Sequence, residues 1–223
     1  MSFPAPSADL WYSLFNMYLT AAVILTTAVI LMMIVFAVRF RAGDGDDGEP
    51  EYKIGDPIDR GSPKVALGLI VILGVLFLGL TTSTFGVMEF MEEIPEDEPE
   101  ALHIKVVGFQ WGWRFIYPNG KSLVGELRVP SNTPVILEIT SQDVFHTFSI
   151  PDFKVKKDAI PGRLNYAWFE GKIEGEYTIR CYELCGVGHA EMLATLLVMD
   201  PEQYELWYSQ FSGGVEEGGE ESG

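Results

Sequence analysis

Two long apolar stretches dominate the first part of the chain. Leu10 to Val38 is 29 residues without a charged side chain, and Val65 to Met88 is another 24. A helix needs about 20 mostly apolar residues to cross a bilayer, so both segments are long enough to span one. A pair of buried core helices is the competing reading, but soluble helices of such length carry a polar face. The first segment is too long for a signal-peptide core, lacks a basic start and has no small-residue cleavage site after it. Beyond Glu100 the pattern changes to short apolar runs broken by turn residues. Ile104 to Gln110, Leu123 to Val129, Val135 to Thr140, Phe145 to Ile150, Leu164 to Phe169, Glu176 to Cys181 and Met192 to Met199 read as strands. Pro118-Asn119-Gly120, Pro130-Ser131-Asn132 and Pro161-Gly162 separate them. Seven short strands in about 100 residues predict a β-sandwich of Greek-key type. Asp200 to Phe211 predicts a helix, with Asp200 as its N-cap and Pro201 at its first position.

Charge orients this layout. No Lys or Arg precedes the first apolar segment, whereas Arg39, Arg41, Lys53, Arg60 and Lys64 lie between the two. Basic residues near the membrane favour the cytoplasmic side, so the connecting loop is expected inside, with the N-terminus and everything after Met91 outside. Trp11, Tyr12 and Phe15 suit the outer membrane interface, although helix packing would use them equally well. The expected organisation is an α+β membrane protein. Residues 1–91 form a transmembrane helical hairpin, with spans at 10–38 and 65–88 and a cytoplasmic loop at 39–64. An acidic connector follows at 92–100, then a β domain at 101–211 and a disordered acidic tail at 212–223. The chain holds 15 Lys+Arg and 32 Asp+Glu, a net charge of -17. That balance excludes a nucleic-acid binder, which needs basic side chains against phosphates. Residues 92–223 carry 23 of the acids and 10 of the bases, so -13 of the charge is expected outside.

The side chains best able to hold a metal are concentrated in Cys181-Tyr182-Glu183-Leu184-Cys185-Gly186-Val187-Gly188-His189-Ala190-Glu191-Met192. Both cysteines of the chain are here, and His146 lies 35 residues upstream. Thiolate and thioether are soft donors and imidazole is intermediate, a set that favours copper. One Cys, two His and a weak Met would hold a single blue-copper ion, whereas two thiolates can bridge two coppers. A Cys181–Cys185 disulfide and a Cys2His2 zinc site compete with this reading. For Met192 plain core packing competes, as it does for the aromatic residues of the domain. His103 has no partner in the pattern and reads as a surface or strand histidine.

Cys-x-Glu-x-Cys-Gly-x-x-His-x-x-Met, preceded by Asp-Val-x-His, resembles the dinuclear CuA motif of cytochrome c oxidase subunit II. Gly108-Phe109-Gln110-Trp111-Gly112-Trp113 and Asp158-Ala159-Ile160-Pro161-Gly162-Arg163 are similar to two further segments of that family. The resemblance covers nearly the whole chain. It implies a two-helix transmembrane hairpin followed by an extracytoplasmic cupredoxin-like Greek-key β-sandwich. It also implies copper ligation by His146, Cys181, Cys185, His189 and Met192 and by the backbone carbonyl of Glu183. The Glu183 carboxylate would reach a Mg²⁺ at the contact with subunit I. Trp111 matches the tryptophan through which electrons enter, and Asp158 and Arg163 match residues at the subunit I contact. Two departures stand out. Gly112 replaces an aromatic between the two tryptophans, and the family's Glu before the second span has only Asp56 and Asp59 nearby, to which no proton role is assigned.

The implied function is electron input to a proton-pumping haem–copper terminal oxidase in the cell membrane. A soluble donor would reduce the copper pair, which would pass electrons to haem in subunit I, where O2 becomes water; subunit III is a further expected partner. The O2-reducing site would lie in the partner, so this chain makes no bonds itself. A copper-containing nitric-oxide reductase subunit and a membrane-tethered copper-binding module are the alternatives. The acidic exterior would steer a basic donor such as cytochrome c. Acid also fills the loop between the spans, however, with 7 acids to 5 bases from Arg39 to Lys64. An even excess matches halophile-like acidity, and in molar salt the Debye length is about 3 Å, so a blue-copper donor fits equally. The bulk of the acid is read as salt adaptation.

Overall fold

The computed structural model describes residues 4–39, 41, 62–95 and 101–211. The expected loop with Asp56 and Asp59, residues 96–100 of the acidic connector and the acidic tail at 212–223 lie outside the described residues. The chain divides into two units, one formed by Met1–Tyr12 with Met88–Gly223 and the other by Ser13–Val87.

Two helices, α1 (Pro6–Arg39) and α2 (Pro63–Glu92), carry the apolar segments and extend them by a few residues at each end. Each opens on a proline, whose missing N–H loses nothing in the first turn. Both are long and apolar enough to cross a membrane. Ile24, Ile34, Ile70 and Phe77 are exposed in the protein alone, a pattern suited to lipid and not to water. Several hydroxyl groups among the described residues of the unit Ser13–Val87 are satisfied locally. The Thr84 hydroxyl donates to the Leu80 carbonyl at 2.9 Å and lies 2.8 Å from the Tyr18 hydroxyl, while Thr82 and Ser83 also bond carbonyls of their own helix. Unsatisfied backbone and hydroxyl groups are costly in hydrocarbon, so such internal pairing is what a span requires.

The other unit is a sandwich of two five-stranded sheets. Its strands are β1 (Leu102–Phe109), β2 (Gly112–Ile116), β3 (Ser122–Val124), β4 (Glu126–Pro130), β5 (Pro134–Ser141), β6 (His146–Ile150), β7 (Val155–Ala159), β8 (Asn165–Glu170), β9 (Gly175–Cys181) and β10 (Leu193–Met199). One sheet runs β3-β2-β1-β5-β8 and the other β4-β10-β9-β6-β7. Hairpin pairs are antiparallel, whereas β1 with β5 and β4 with β10 are parallel, so the chain crosses between sheets. Alternate residues point inward: Ile104 and Val106 from β1, Trp113 and Phe115 from β2, Leu196 and Val198 from β10.

Among the described residues, ten strands replace the seven expected. The single run Leu123 to Val129 is broken at Gly125, whose φ of 77° few other residues tolerate, and β3 and β4 belong to different sheets. β2 was hidden by the glycine between two tryptophans. β7, Val-Lys-Lys-Asp-Ala, was hidden by its charges, because it is an edge strand that buries only Val155 and Ala159. The last helix, α3 (Pro201–Phe211), starts as expected: Asp200 Oδ1 accepts from the Glu202 and Gln203 backbone N–H groups at 3.0 and 3.2 Å. It lays Trp207 and Tyr208 against Tyr117, with the Tyr204 ring packed on both. The Tyr117 hydroxyl donates to the Arg128 carbonyl and accepts from the Arg128 N–H, which fastens β4 to the residue after β2.

Candidate metal centre

One end of the second sheet gathers the sulfur and imidazole groups. His146 opens β6 and Cys181 closes β9, and these strands pair with Phe148 opposite Cys181. Strand pairing thus joins two residues 35 apart in sequence. The chain then leaves β9 in a loop anchored by the Tyr182 N–H on the Thr147 carbonyl at 3.0 Å. Cys185 and His189 lie on this loop, and Met192 sits where it enters β10. The turn at Gly186 has φ 120°, a conformation that favours glycine.

His146, Cys181, Cys185 and Met192 are buried, and His189 and Glu183 are half-buried. The ligand atoms of His146, Cys181 and Cys185 lie within 4.8 Å of one another. Cys181 Sγ is 3.9 Å from His146 Nδ1 and 3.9 Å from Cys185 Sγ. Cys185 Sγ is 3.6 Å from His189 Nδ1 and 3.7 Å from Met192 Sδ. The Glu183 backbone oxygen accepts from Cys181 Sγ at 3.3 Å. All six residues expected at the centre are therefore brought together. Both cysteines stand as free thiols, their sulfurs well beyond the about 2.05 Å of a disulfide bond. A metal–thiolate bond is about 2.3 Å. Twice that length exceeds the 3.9 Å between the two sulfurs, so one ion can touch both. One imidazole stands beside each sulfur, so the donor set is close to symmetric about the sulfur pair. Such a set fits a thiophilic metal.

Burial pushes the Cys185 thiol up to about 11, with the neighbouring Cys181 adding to the effect. The Cys185 thiol in this apolar pocket stays protonated at neutral pH until a cation replaces its proton.

A surrounding shell holds these groups. His146 Nε2 is 2.8 Å from Asp143 Oδ1. Partial burial raises the Asp143 pKa, but hydrogen bonds from His146 and from the Gln110 and Val144 N–H groups outweigh it and hold the carboxyl below its usual range. The ionised carboxylate accepts, so His146 carries its proton on Nε2 and turns the Nδ1 lone pair towards Cys181. Asp143 is the first residue of the Asp-Val-x-His segment, and nothing in that spacing marks this bond. Gln110 was also missed: its side-chain amide donates to the Cys185 carbonyl at 2.7 Å, and its N–H donates to Asp143 Oδ2 at 2.6 Å.

Trp111 lies beside them, joined to Gln110 by a cis peptide bond. Its indole N–H donates to the same Cys185 carbonyl at 3.2 Å, while the residue remains 41% exposed. The ring lies flat against the loop because Gly188 has no side chain; a Cβ there would meet Trp111 Cδ2 at 2.6 Å. Trp113, by contrast, is fully buried, with its ring centroid 6.0 Å from that of His146. Val187 and Leu184 leave the loop 95% and 77% exposed, an apolar rim around the half-exposed tryptophan. His103 is exposed on β1 and is not among the residues gathered here. Asp158 and Arg163 are exposed at and beyond the end of β7, and Asp158 accepts from the Thr147 hydroxyl at 2.9 Å.

Known proteins place this arrangement. A family model described as cytochrome c oxidase subunit II, periplasmic domain, matches residues 124–198. A haem–copper oxidase subunit 2 of Aeropyrum pernix is 34% identical over 225 residues, covering 94% of this chain and 92% of that protein. A cytochrome c oxidase subunit 2 of Cereibacter sphaeroides is 29% identical over 247 residues, covering 93% of this chain and 77% of that one. Among solved structures, the periplasmic domain of cytochrome oxidase subunit II from Bradyrhizobium japonicum is 35% identical. That match covers 53% of this chain and 96% of the domain, with a TM-score of 0.49.

Proposed function

We propose that this chain, which belongs to the cytochrome c oxidase subunit II family, is the electron-input subunit of a proton-pumping haem–copper oxidase that reduces O2 to water. The reading rests above all on two thiols 3.9 Å apart, each with its own imidazole, beside a half-exposed tryptophan bonded to the same loop. His146, Cys181, Cys185, His189 and Met192 hold a dinuclear copper, CuA, together with the carbonyl oxygen of Glu183. The bound copper pair supplies a one-electron relay that changes shape little on reduction.

The protein's own part is positional. Asp143 fixes the His146 tautomer, and Gln110 and Trp111 clamp the Cys185 carbonyl, so the sulfurs keep their places when charge changes. Trp111 presents its exposed edge to the donor and touches the loop with its N–H, giving a short bonded path from surface to Cys185. The Leu184 and Val187 side chains supply apolar contact around this loop. The donor is a small one-electron protein, either a cytochrome c or a blue-copper protein. The Glu183 carboxylate contributes to a Mg²⁺ site at subunit I, the haem lies in that subunit, and subunit III completes the complex. The hairpin sits in the cell membrane with the sandwich outside.

Stopped-flow mixing of the purified complex with reduced donor tests this reading. Copper should be reduced first and haem second, with O2 uptake following. Haem reduction ahead of copper, or purification of the chain without any haem subunit, contradicts it.

A further inference from the structure

A cavity of about 210 Å³ lies within the unit formed by Met1–Tyr12 and Met88–Gly223, away from the metal centre. One wall is basic: Lys154, Lys156 and Lys157 all line it. Another is apolar, formed by Met88 and Met91 near the end of α2, with Trp168 from β8. These three lysines are three of the 10 basic residues in a segment that carries 23 acids, so their concentration runs against the charge of everything around them.

They are also unneutralised. The ion pairs among the described residues are Arg128–Glu126, His146–Asp143 and Lys172–Asp9, and none involves these three amino groups. Glu92 and Glu170 line the same cavity without pairing to them. Lys154 Nζ instead sits 4.6 Å over the Trp11 ring and 4.8 Å over Tyr12, and Lys156 Nζ lies 5.5 Å over Tyr182. Rings hold a cation in place without cancelling its charge. Trp168 Nε1 is buried and has no hydrogen-bond partner among the described residues. Buried polar groups are normally satisfied, so this donor too lacks an acceptor.

Depth adds a further constraint. The charge-free run of α2 ends at Met88, immediately before Glu89, with Glu92 and Glu93 one turn on, and Trp11 and Tyr12 lie near the start of α1. A chain that spans the bilayer passes from hydrocarbon to head groups at such a boundary, and aromatic and lysine side chains collect there. Basic residues at this level attract anionic lipid. The cavity is below the usual 300–1,000 Å³ of a drug-sized site, so it suits a compact head group.

We propose that Lys154, Lys156 and Lys157 bind the phosphate of an anionic membrane phospholipid, whose acyl chains leave past Met88 and Met91. The site is independent of electron input and requires only that the hairpin span a membrane.

Native mass spectrometry of the delipidated full complex, offered phosphatidylglycerol or phosphatidylcholine vesicles or inorganic phosphate, tests the assignment. One phosphatidylglycerol should be retained per chain, at least tenfold in preference to phosphatidylcholine, and inorganic phosphate should not displace it. The Lys154→Gln/Lys156→Gln/Lys157→Gln variant should lose that retention, and the matching triple Arg variant should keep it. Equal retention of both lipids by the unaltered complex overturns the proposal whether or not a variant folds. Unchanged retention in the Gln variant does so too, and displacement by inorganic phosphate would assign the site to the free ion. Loss of a partner subunit from the Gln variant with lipid still bound would assign the lysines to a protein contact. The copper spectrum of each sample reports separately on electron input, so failure of one reading is distinguishable from failure of the other.

Discussion

The Trp111 indole N–H donates to the backbone carbonyl of Cys185 at 3.2 Å, joining a half-exposed ring directly to a buried thiol residue. The relationship gives the surface tryptophan a role beyond packing. Trp111→Phe keeps an apolar ring but removes the N–H and the larger indole. The reduction of copper by its donor should slow about tenfold or more, equivalent to a barrier rise of ~1.4 kcal/mol. The copper spectrum should change little. Stopped-flow reduction and visible absorption measure the two effects on one sample; an unchanged rate would leave Trp111 as a packing residue.

Gly188 controls the same ring from the other side. A Cβ at this position would lie 2.6 Å from Trp111 Cδ2 and 2.7 Å from Cγ, well inside van der Waals contact. Gly188→Ala should therefore displace the indole and reproduce the slow reduction of Trp111→Phe, with copper content preserved. Tryptophan fluorescence should report the displacement. Fast reduction in the Ala variant would show that the ring's position on the loop is unimportant.

Asp143→Asn keeps the shape of the side chain and removes the charge that fixes His146. Loss of such an outer partner typically weakens metal affinity about 10- to 100-fold. Copper competition with a chelator should show a loss in that range, with the far-ultraviolet circular dichroism of the sandwich intact. Wild-type affinity in the Asn variant would mean that the hydrogen bond does not orient the imidazole.

The thiols give the metal-free protein a characteristic pH dependence. The Cys185 pKa in the fold is raised to about 11, through burial first and the adjacent Cys181 second. An unfolded thiol titrates near ~8.5, so the neutral form favoured by the fold contributes stability below that pH. That contribution is lost as pH rises through about 11. Thermal melting of the metal-free chain in detergent should show stability falling across this alkaline window. Bound copper, which holds the sulfurs as thiolates, should abolish the fall. A metal-free Tm that is flat through the window would refute the raised thiol.

The metal-binding loop was legible because four of its donors lie within twelve residues, a spacing too dense to be incidental. His146 was not legible from spacing at all. It entered the donor set as a soft-metal-capable side chain 35 residues upstream, and it reaches Cys181 only through the β6–β9 pairing. Asp143 and Gln110 were invisible for a different reason. Both act through contacts with the backbone or with an imidazole, and nothing about an Asp in a turn or a Gln after a strand distinguishes them. The apolar spans announced themselves by length and lack of charge. The missed strands show where alternation fails as a guide: β2 opens on Gly112, which reads as a turn residue between two tryptophans, and β7 puts Lys156 and Asp158 outward and a third charge, Lys157, on its inner side at a sheet edge. Gly125 broke what looked like one strand because its backbone, and not its side chain, decides where the chain changes sheet.

The central claim is that Cys181 and Cys185 together hold two coppers sharing one electron. Electron paramagnetic resonance of the oxidised, copper-loaded complex, with copper counted per chain, tests it most directly. The account predicts two coppers and a seven-line hyperfine pattern from one electron spread equally over both nuclei, lost in Cys185→Ser. A four-line signal from one copper per chain, or survival of the shared-electron signal in that variant, would contradict it.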